Sequence, residues 1–320
     1  MSNVETAPAE LTCTDGAKTA EVQVLAAREV PLGGPRAITV RRTLPQRARS
    51  LVGAWCFADH YGPAAARMVV PPHPHTGLQT VSWLFDGEIE HRDSGGRQCL
   101  VRPGELNLMT GGHGICHSEV STERSAALHG VQLWVALPAA HRDAPQDLRH
   151  HVPEPVPLDG ATARVFLGSL AGSVSPVPTF TPLLGAELLL EPGARLELPV
   201  DVGFEHGVLV DRGSVTVAGT TVPSAAMGYL APERRAVELR NSGSQPASAL
   251  LLGGPPFGEQ IVMWWNFVGR SHEEIVAFRD AWQAESDRFG RVDGYAGDPL
   301  RLPAPELPNA VIKPRRNPGA

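Results

Sequence analysis

The stretch that decides the fold is PPHPHTGLQTVSWLFDGEIEHRDSGG, residues 71–96. His73 and His75 lie one residue apart, ahead of two strand-like runs, TVSWLF and EIEHRD, with Asp86-Gly87 between them as a hairpin signal. Side chains at i and i+2 of a strand share a face, so His73 and His75 project together and Pro74 turns away. Farther on, GGHGICHSE repeats the spacing. His117 and Glu119 share one face, while Cys116 and Ser118 take the other. A lone His-x-His is more often an accident of surface or core than a ligand pair. Two such pairs within one β-rich half favour a metal site, and three neutral imidazoles with one carboxylate suit a first-row divalent ion, with iron(II) chemistry open to it. The expectation is that two strands from opposite sides of a small barrel bring the four groups to one point.

The rest of the chain frames that site. With 320 residues it is long enough for two domains of ordinary size. Apolar residues make up 42%, charged residues 19%, and the net charge of −6 gives no basic excess for direct nucleic-acid binding. Glycine (33) and proline (30) are abundant, and with many short Val/Leu/Thr runs they favour an all-β chain rich in turns. The N-terminus lacks the pattern of a secretory signal, no run is long enough for a membrane span, and the four cysteines contain no Cys-x-x-Cys pair. The expectation is a cytoplasmic, monomeric chain with reduced thiols.

Residues 1–20 read as a disordered leader, and short strands fill 21–150. A polar linker is placed at 151–165, a second set of strands at 166–270, and a helix with a Pro-rich tail at 271–320. Setting Gly87 against Gly213 superposes two turn patterns 126 residues apart, which suggests an internal duplication. At that offset His73 falls on Pro199, His75 on Asp201, Gln79 on Glu205 and His91 on Val217, so only the first copy carries the histidines of a metal site. One site per chain is the result. In the tail, Ser271 and Glu274 form a capping-box signature, with Ile275, Phe278, Trp282 and Phe289 at helical spacing and Gly290 as the expected stop.

Three further residues are candidates for a place beside the metal ligands rather than on the metal: Gln79, His91 and His113. His91 comes after the Asp-Gly turn, and His113 sits in the loop Gly111-Gly-His-Gly114. His60, His129, His141, His150, His151, His206 and His272 are scattered, and a structural or solvent role is the default for each. No Gly-x-Ser-x-Gly nucleophile motif or phosphate-binding glycine loop occurs.

These motifs, together with RPGELNLMTGGHGICHSE, HGVQLWVALP and the earlier RTLPQRARSLVGAWCFADHYGP, resemble the pirin family of the cupin superfamily. The resemblance covers roughly 20–290 and is densest in the first half. It implies two stacked jelly-roll-type β-barrels (a bicupin) and the ligand set His73, His75, His117 and Glu119. It also implies one divalent metal per chain, with Fe(II) foremost and Ni, Cu, Mn, Co or Zn as alternatives. The sequence departs from the family pattern at His113, where an arginine is common, and at Thr76, where a basic residue often comes after the histidines. Pirins are associated with two functions. One is quercetin 2,3-dioxygenase activity on a flavonol with O₂, in which Glu119 would double as the catalytic base. The other is redox-sensing regulation through a protein partner.

Overall fold

The computed structural model describes residues 21–32, 38–65, 67–315 and 317. The expected leader, 1–20, lies outside the described residues. The described chain is built mainly from antiparallel strands arranged as two barrels, each pairing a seven-stranded with a four-stranded sheet.

In the first barrel the larger sheet has the order Asp147–His151, Leu106–Thr110, Leu78–Asp86, Leu128–Ala136, Trp55–Ala64, Ile38–Leu44 and Arg28–Leu32. The smaller has the order Val69–His75, Ile115–Ser121, Ile89–Asp93 and Gln98–Val101. In the second barrel the larger sheet runs Gln23–Leu25, Met227–Leu230, Glu205–Arg212, Ala247–Gly254, Leu184–Leu190, Ala161–Leu167 and Pro155–Leu158. Its partner runs Arg195–Pro199, Ala236–Arg240, Ser214–Val217 and Thr220–Pro223. The strand orders of the smaller sheets correspond one for one, and those of the larger sheets match across most of their width. The duplication faint in sequence is therefore explicit in topology.

Two expectations change here. Asp86-Gly87 does not close a hairpin, because Leu78–Asp86 and Ile89–Asp93 belong to different sheets. Gly87, with φ of +90°, turns the chain from one sheet into the other, and Gly213 does the same in the second barrel at φ of +76°. The 151–165 stretch, read as a linker, carries the strand Pro155–Leu158 and the start of Ala161–Leu167, both in the second large sheet.

The two large sheets meet face to face. Alternation along Leu78–Asp86 sends Val81 and Trp83 into this seam, joined there by Val131, Leu133, Leu209, Leu250 and Leu252. Trp83 packs on Phe166 at 4.6 Å between ring centroids, and the Trp55 indole N–H donates to the Gly253 carbonyl at 3.2 Å. The N-terminal strand Gln23–Leu25 crosses to pair with Met227–Leu230 of the second barrel.

After the barrels comes the helix His272–Gln283, capped as expected by the Ser271 side chain, which accepts from the Glu274 N–H. It ends at Gln283, short of Gly290. Ile275 and Trp282 bury with Cys116, Phe289 and Leu302. Since Cys116 and His117 alternate, this apolar layer lies behind the sheet that carries the histidines.

Candidate metal centre

His73 and His75 stand on Val69–His75, and His117 and Glu119 on Ile115–Ser121. These strands are not on opposite sides of the barrel, as the spacing suggested. They are hydrogen-bonded neighbours, with His117 directly across from His73. The register then slips so that Glu119 faces Val70, which leaves Pro71 and Pro72 within a bulge. The slip has a chemical cause: neither proline has an N–H for the ladder, and an edge strand or bulge is where such residues fit. The free side of this edge strand is covered from the C-terminal region, where Leu302 N–H donates to the Pro72 carbonyl (2.9 Å) and Val268 N–H to that of Thr76 (3.0 Å).

All four side chains are buried. One ligand atom each from His73, His75 and His117 lies within 4.8 Å of the others. Hydrogen bonds at the far ring nitrogens decide what these atoms offer. His73 Nδ1 lies 2.9 Å from the Pro71 carbonyl, and His75 Nδ1 3.2 Å from that of Asn266. A carbonyl only accepts, so each Nδ1 carries the hydrogen and each Nε2 presents a bare lone pair. Among the described residues the His73 Nε2 is buried without a hydrogen-bond partner, and His75 Nε2 lies 3.0 Å from His117 Nε2. Burial first, with neighbouring imidazoles adding to it at each of the three, holds them well below the ordinary histidine range. They are neutral. Converging neutral nitrogen lone pairs beside a carboxylate are the donor chemistry of a single divalent metal, so the residues present fit that group.

Glu119 Oε1 accepts from the Ser82 hydroxyl at 3.2 Å, and the same hydroxyl lies 3.0 Å from Gln132 Oε1. His91 sits directly across from Glu119 on Ile89–Asp93. Its Nδ1 is 3.3 Å from His117 Nδ1, and its Nε2 is 3.5 Å from Asp93 Oδ2. These contacts form a consistent chain: His117 Nδ1–H donates to His91, and His91 Nε2–H donates to Asp93. The carboxylate is itself fixed by the Gly95 and Arg97 N–H groups.

The other two candidates lie elsewhere. Gln79 is buried, but its side chain donates to the Thr110 hydroxyl (3.0 Å). It alternates with Ser82 and shares the side of Val81 and Trp83, away from Glu119. His113 is exposed in its loop. Cys116 is a buried apolar filler, its thiol pushed up to about 12 by burial.

Sequence reasoning missed a second group, formed by His60, His129 and Asp211. The histidines come from adjacent strands of the first barrel and the aspartate from the second. His60 and His129 were set aside as scattered histidines, and Asp211 was not singled out. Only the packing of one sheet on the other brings them together.

The comparisons with known proteins agree with this architecture. Residues 37–135 match the Pirin family and residues 185–290 the Pirin C-terminal cupin domain. A Pseudomonas aeruginosa protein named "Putative quercetin 2,3-dioxygenase" is 43% identical, over 90% of this chain and 91% of its own. Human pirin is 32% identical, over 66% of this chain and 76% of its own. A crystal structure of quercetin 2,3-dioxygenase from Acinetobacter baumannii superposes with a TM-score of 0.85 at 35% identity, covering 92% of this chain and 97% of that one.

Proposed function

The chain belongs to the pirin family, and we propose that it is a metal-dependent dioxygenase of the quercetin 2,3-dioxygenase type, acting on a flavonol or a similar enol with O₂. The observation that carries this reading is the convergence of bare imidazole lone pairs from His73, His75 and His117 beside the Glu119 carboxylate in a buried site. Those four residues would hold the ion, iron(II) by our reading. When bound, it supplies Lewis acidity toward an enol oxygen and a redox partner for O₂.

The chain's own residues do the remaining work. The carbonyls of Pro71 and Asn266 and the His91–Asp93 pair fix the imidazole tautomers, so the ligands are set before any metal arrives. Glu119 is the base for the substrate's enolic proton, and Ser82 orients its carboxylate through the bond to Oε1. Burial of the site keeps bulk water from the reacting oxygens. In the overall reaction both atoms of O₂ enter the opened ring and one ring carbon leaves as carbon monoxide.

The test is direct. The metal-stripped protein is loaded anaerobically with Fe(II), mixed with quercetin and exposed to O₂, and O₂ uptake and CO release are followed together. Matched uptake and release support the reading. A fully loaded protein that releases no CO from quercetin or a panel of related enols would overturn it and favour a regulatory role through a protein partner.

A further inference from the structure

We propose that His60, His129 and Asp211 form a second divalent-cation site, built across the seam between the two barrels. His60 and His129 project from the neighbouring strands Trp55–Ala64 and Leu128–Ala136, and Asp211 comes from Glu205–Arg212 of the second barrel. His60 Nε2 lies 2.8 Å from Asp211 Oδ1, His129 Nε2 lies 2.6 Å from the same oxygen, and the two nitrogens are 3.2 Å apart. A triangle this small allows one ion to lie within about 2.0–2.2 Å of all three atoms, the range of metal–nitrogen and metal–carboxylate bonds. Two imidazoles and one carboxylate are a common donor set for zinc, iron or cobalt.

The surroundings resemble those of a ligand set. The second oxygen of Asp211 accepts from the Ser248 hydroxyl at 2.6 Å, the kind of outer hydrogen bond that orients a coordinating carboxylate. The Phe85 ring lies against both imidazoles, 6.3 Å from His60 and 4.9 Å from His129 between centroids. All three donor residues are buried.

The site differs from the first in one respect that ranks the two. At His73 and His75 the Nδ1 hydrogens are committed to carbonyls, so the Nε2 lone pairs are free for an ion. At His60 and His129 both Nε2 atoms point at a carboxylate oxygen, which without an ion takes an N–H from each. An ion here must displace those two hydrogens, and among the described residues His60 Nδ1 has no partner to receive one. The seam site is therefore the weaker of the two, filled after the first. Because its ligands come from both barrels, its occupancy fastens one to the other, as ion binding stabilises any state that alone contains the assembled site.

The experiment titrates metal-stripped full-length protein with Zn²⁺ alone, and in parallel with Co²⁺ read by its visible absorption. Wild type should take up one tight equivalent and then a second, weaker one, with a further rise in melting temperature at the second step. His129→Gln keeps an N–H for Asp211 but removes the imidazole, and it should lose the second equivalent while keeping the first. Ser248→Ala should weaken the second step alone by about 10-fold. His73→Ala should lose the first and retain the second, so failure at one site is read separately from failure at the other. Saturation of wild type at one equivalent would show that the cluster is only a hydrogen-bonded clamp. So would a second equivalent that survives in His129→Gln.

Discussion

His91→Ala probes the device that sets the third imidazole. In the folded chain His117 Nδ1 faces His91 Nδ1 at 3.3 Å, and His91 Nε2 faces Asp93 Oδ2 at 3.5 Å. Removing the His91 ring deprives the His117 Nδ1–H of its acceptor. The imidazole can then rotate or hold its hydrogen on Nε2, where it competes with the ion. Loss of such an outer partner typically costs about 10–100-fold in metal affinity. Both contacts are long for hydrogen bonds, so the expected loss lies at the lower end, about 10-fold, equivalent to about 1.4 kcal/mol. Asp93 stays anchored by the Gly95 and Arg97 N–H groups, so the variant should fold and the loss should be local. His91→Gln, which offers a carbonyl oxygen in place of the ring nitrogen, should recover part of it. Zn²⁺ affinity, measured by competition with a chromophoric chelator, reads the effect, with His117→Ala as the standard for loss of a ligand. His91, His117 and Glu119 also bring ligand atoms within 4.8 Å of one another, so a rival ligand set exists. If His91→Ala abolished binding while His73→Ala left it intact, that rival would be correct and the tautomer argument wrong.

Glu119→Gln keeps the shape and a carbonyl oxygen but removes charge and basicity. Metal should be partly retained while flavonol-dependent O₂ uptake falls by about 10²–10⁴, and uptake at the wild-type rate with full loading would remove Glu119 as the base. Gly77 has φ of +67°, and a Cβ there would stand 2.1 Å from the Val268 carbonyl oxygen. Gly77→Ala should therefore cost about 1–2 kcal/mol for the left-handed backbone alone and also loosen metal by shifting the segment that holds His75, seen as a lower urea midpoint and faster metal loss to a chelator. His206 is fully buried with neither ring nitrogen hydrogen-bonded among the described residues, and burial lowers its pKa to about 4. A depressed histidine contributes stability that is complete above its unfolded value near 6.5 and is lost as pH falls toward about 4, here up to about 3 kcal/mol. Urea midpoints at pH 7 and 4.5 should fall closer together in His206→Leu, and an unchanged gap would exclude this source of acid sensitivity.

How much could be read from the sequence depended on how local each feature is. Two-residue alternation placed His73 with His75 and His117 with Glu119, because a strand's own geometry decides which side chains share a face. Strand pairing is not local. Asp86-Gly87 signals a reversal of direction but not which sheet receives the chain, so a hairpin was expected where the chain changes sheets. The strand Pro155–Leu158 was hidden by Pro155 and Pro157, which argue against a central strand but are compatible with its place at the sheet's edge. His60, His129 and Asp211 carried no local signal at all. Their meeting depends on the docking of one barrel on the other, and His60 is separated from Asp211 by 151 positions.

The duplication explains why, of two similar barrels, one alone carries the His73, His75 and His117 cluster in its interior. Where the first barrel's motif places His73 and His75, the second has Pro199 and Asp201. The strands Arg195–Pro199 and Ala236–Arg240 pair as Val69–His75 and Ile115–Ser121 do, so the scaffold is shared and the donors are not. The second barrel is filled instead with aliphatic side chains, among them Val208, Val210, Val215, Leu188 and Leu251. Burying that apolar surface is favourable at roughly 25 cal/mol per Å². Aiming several imidazoles and a carboxylate inward costs free energy until an ion and outer partners satisfy them. The apolar barrel can thus supply stability that the polar one gives up. The seam is the means of transfer: Trp55 and Trp83 lock the two large sheets together, so opening the first barrel would also expose apolar surface of the second. On this argument, substitutions in the second barrel's core should lower the denaturation midpoint of the whole chain while leaving first-site metal affinity nearly unchanged in the protein that remains folded. Leu251→Ala is the direct case, with an expected cost of about 2–5 kcal/mol. A variant that melted the second barrel alone, with the first still folded and metal-bound, would show that the seam does not couple them.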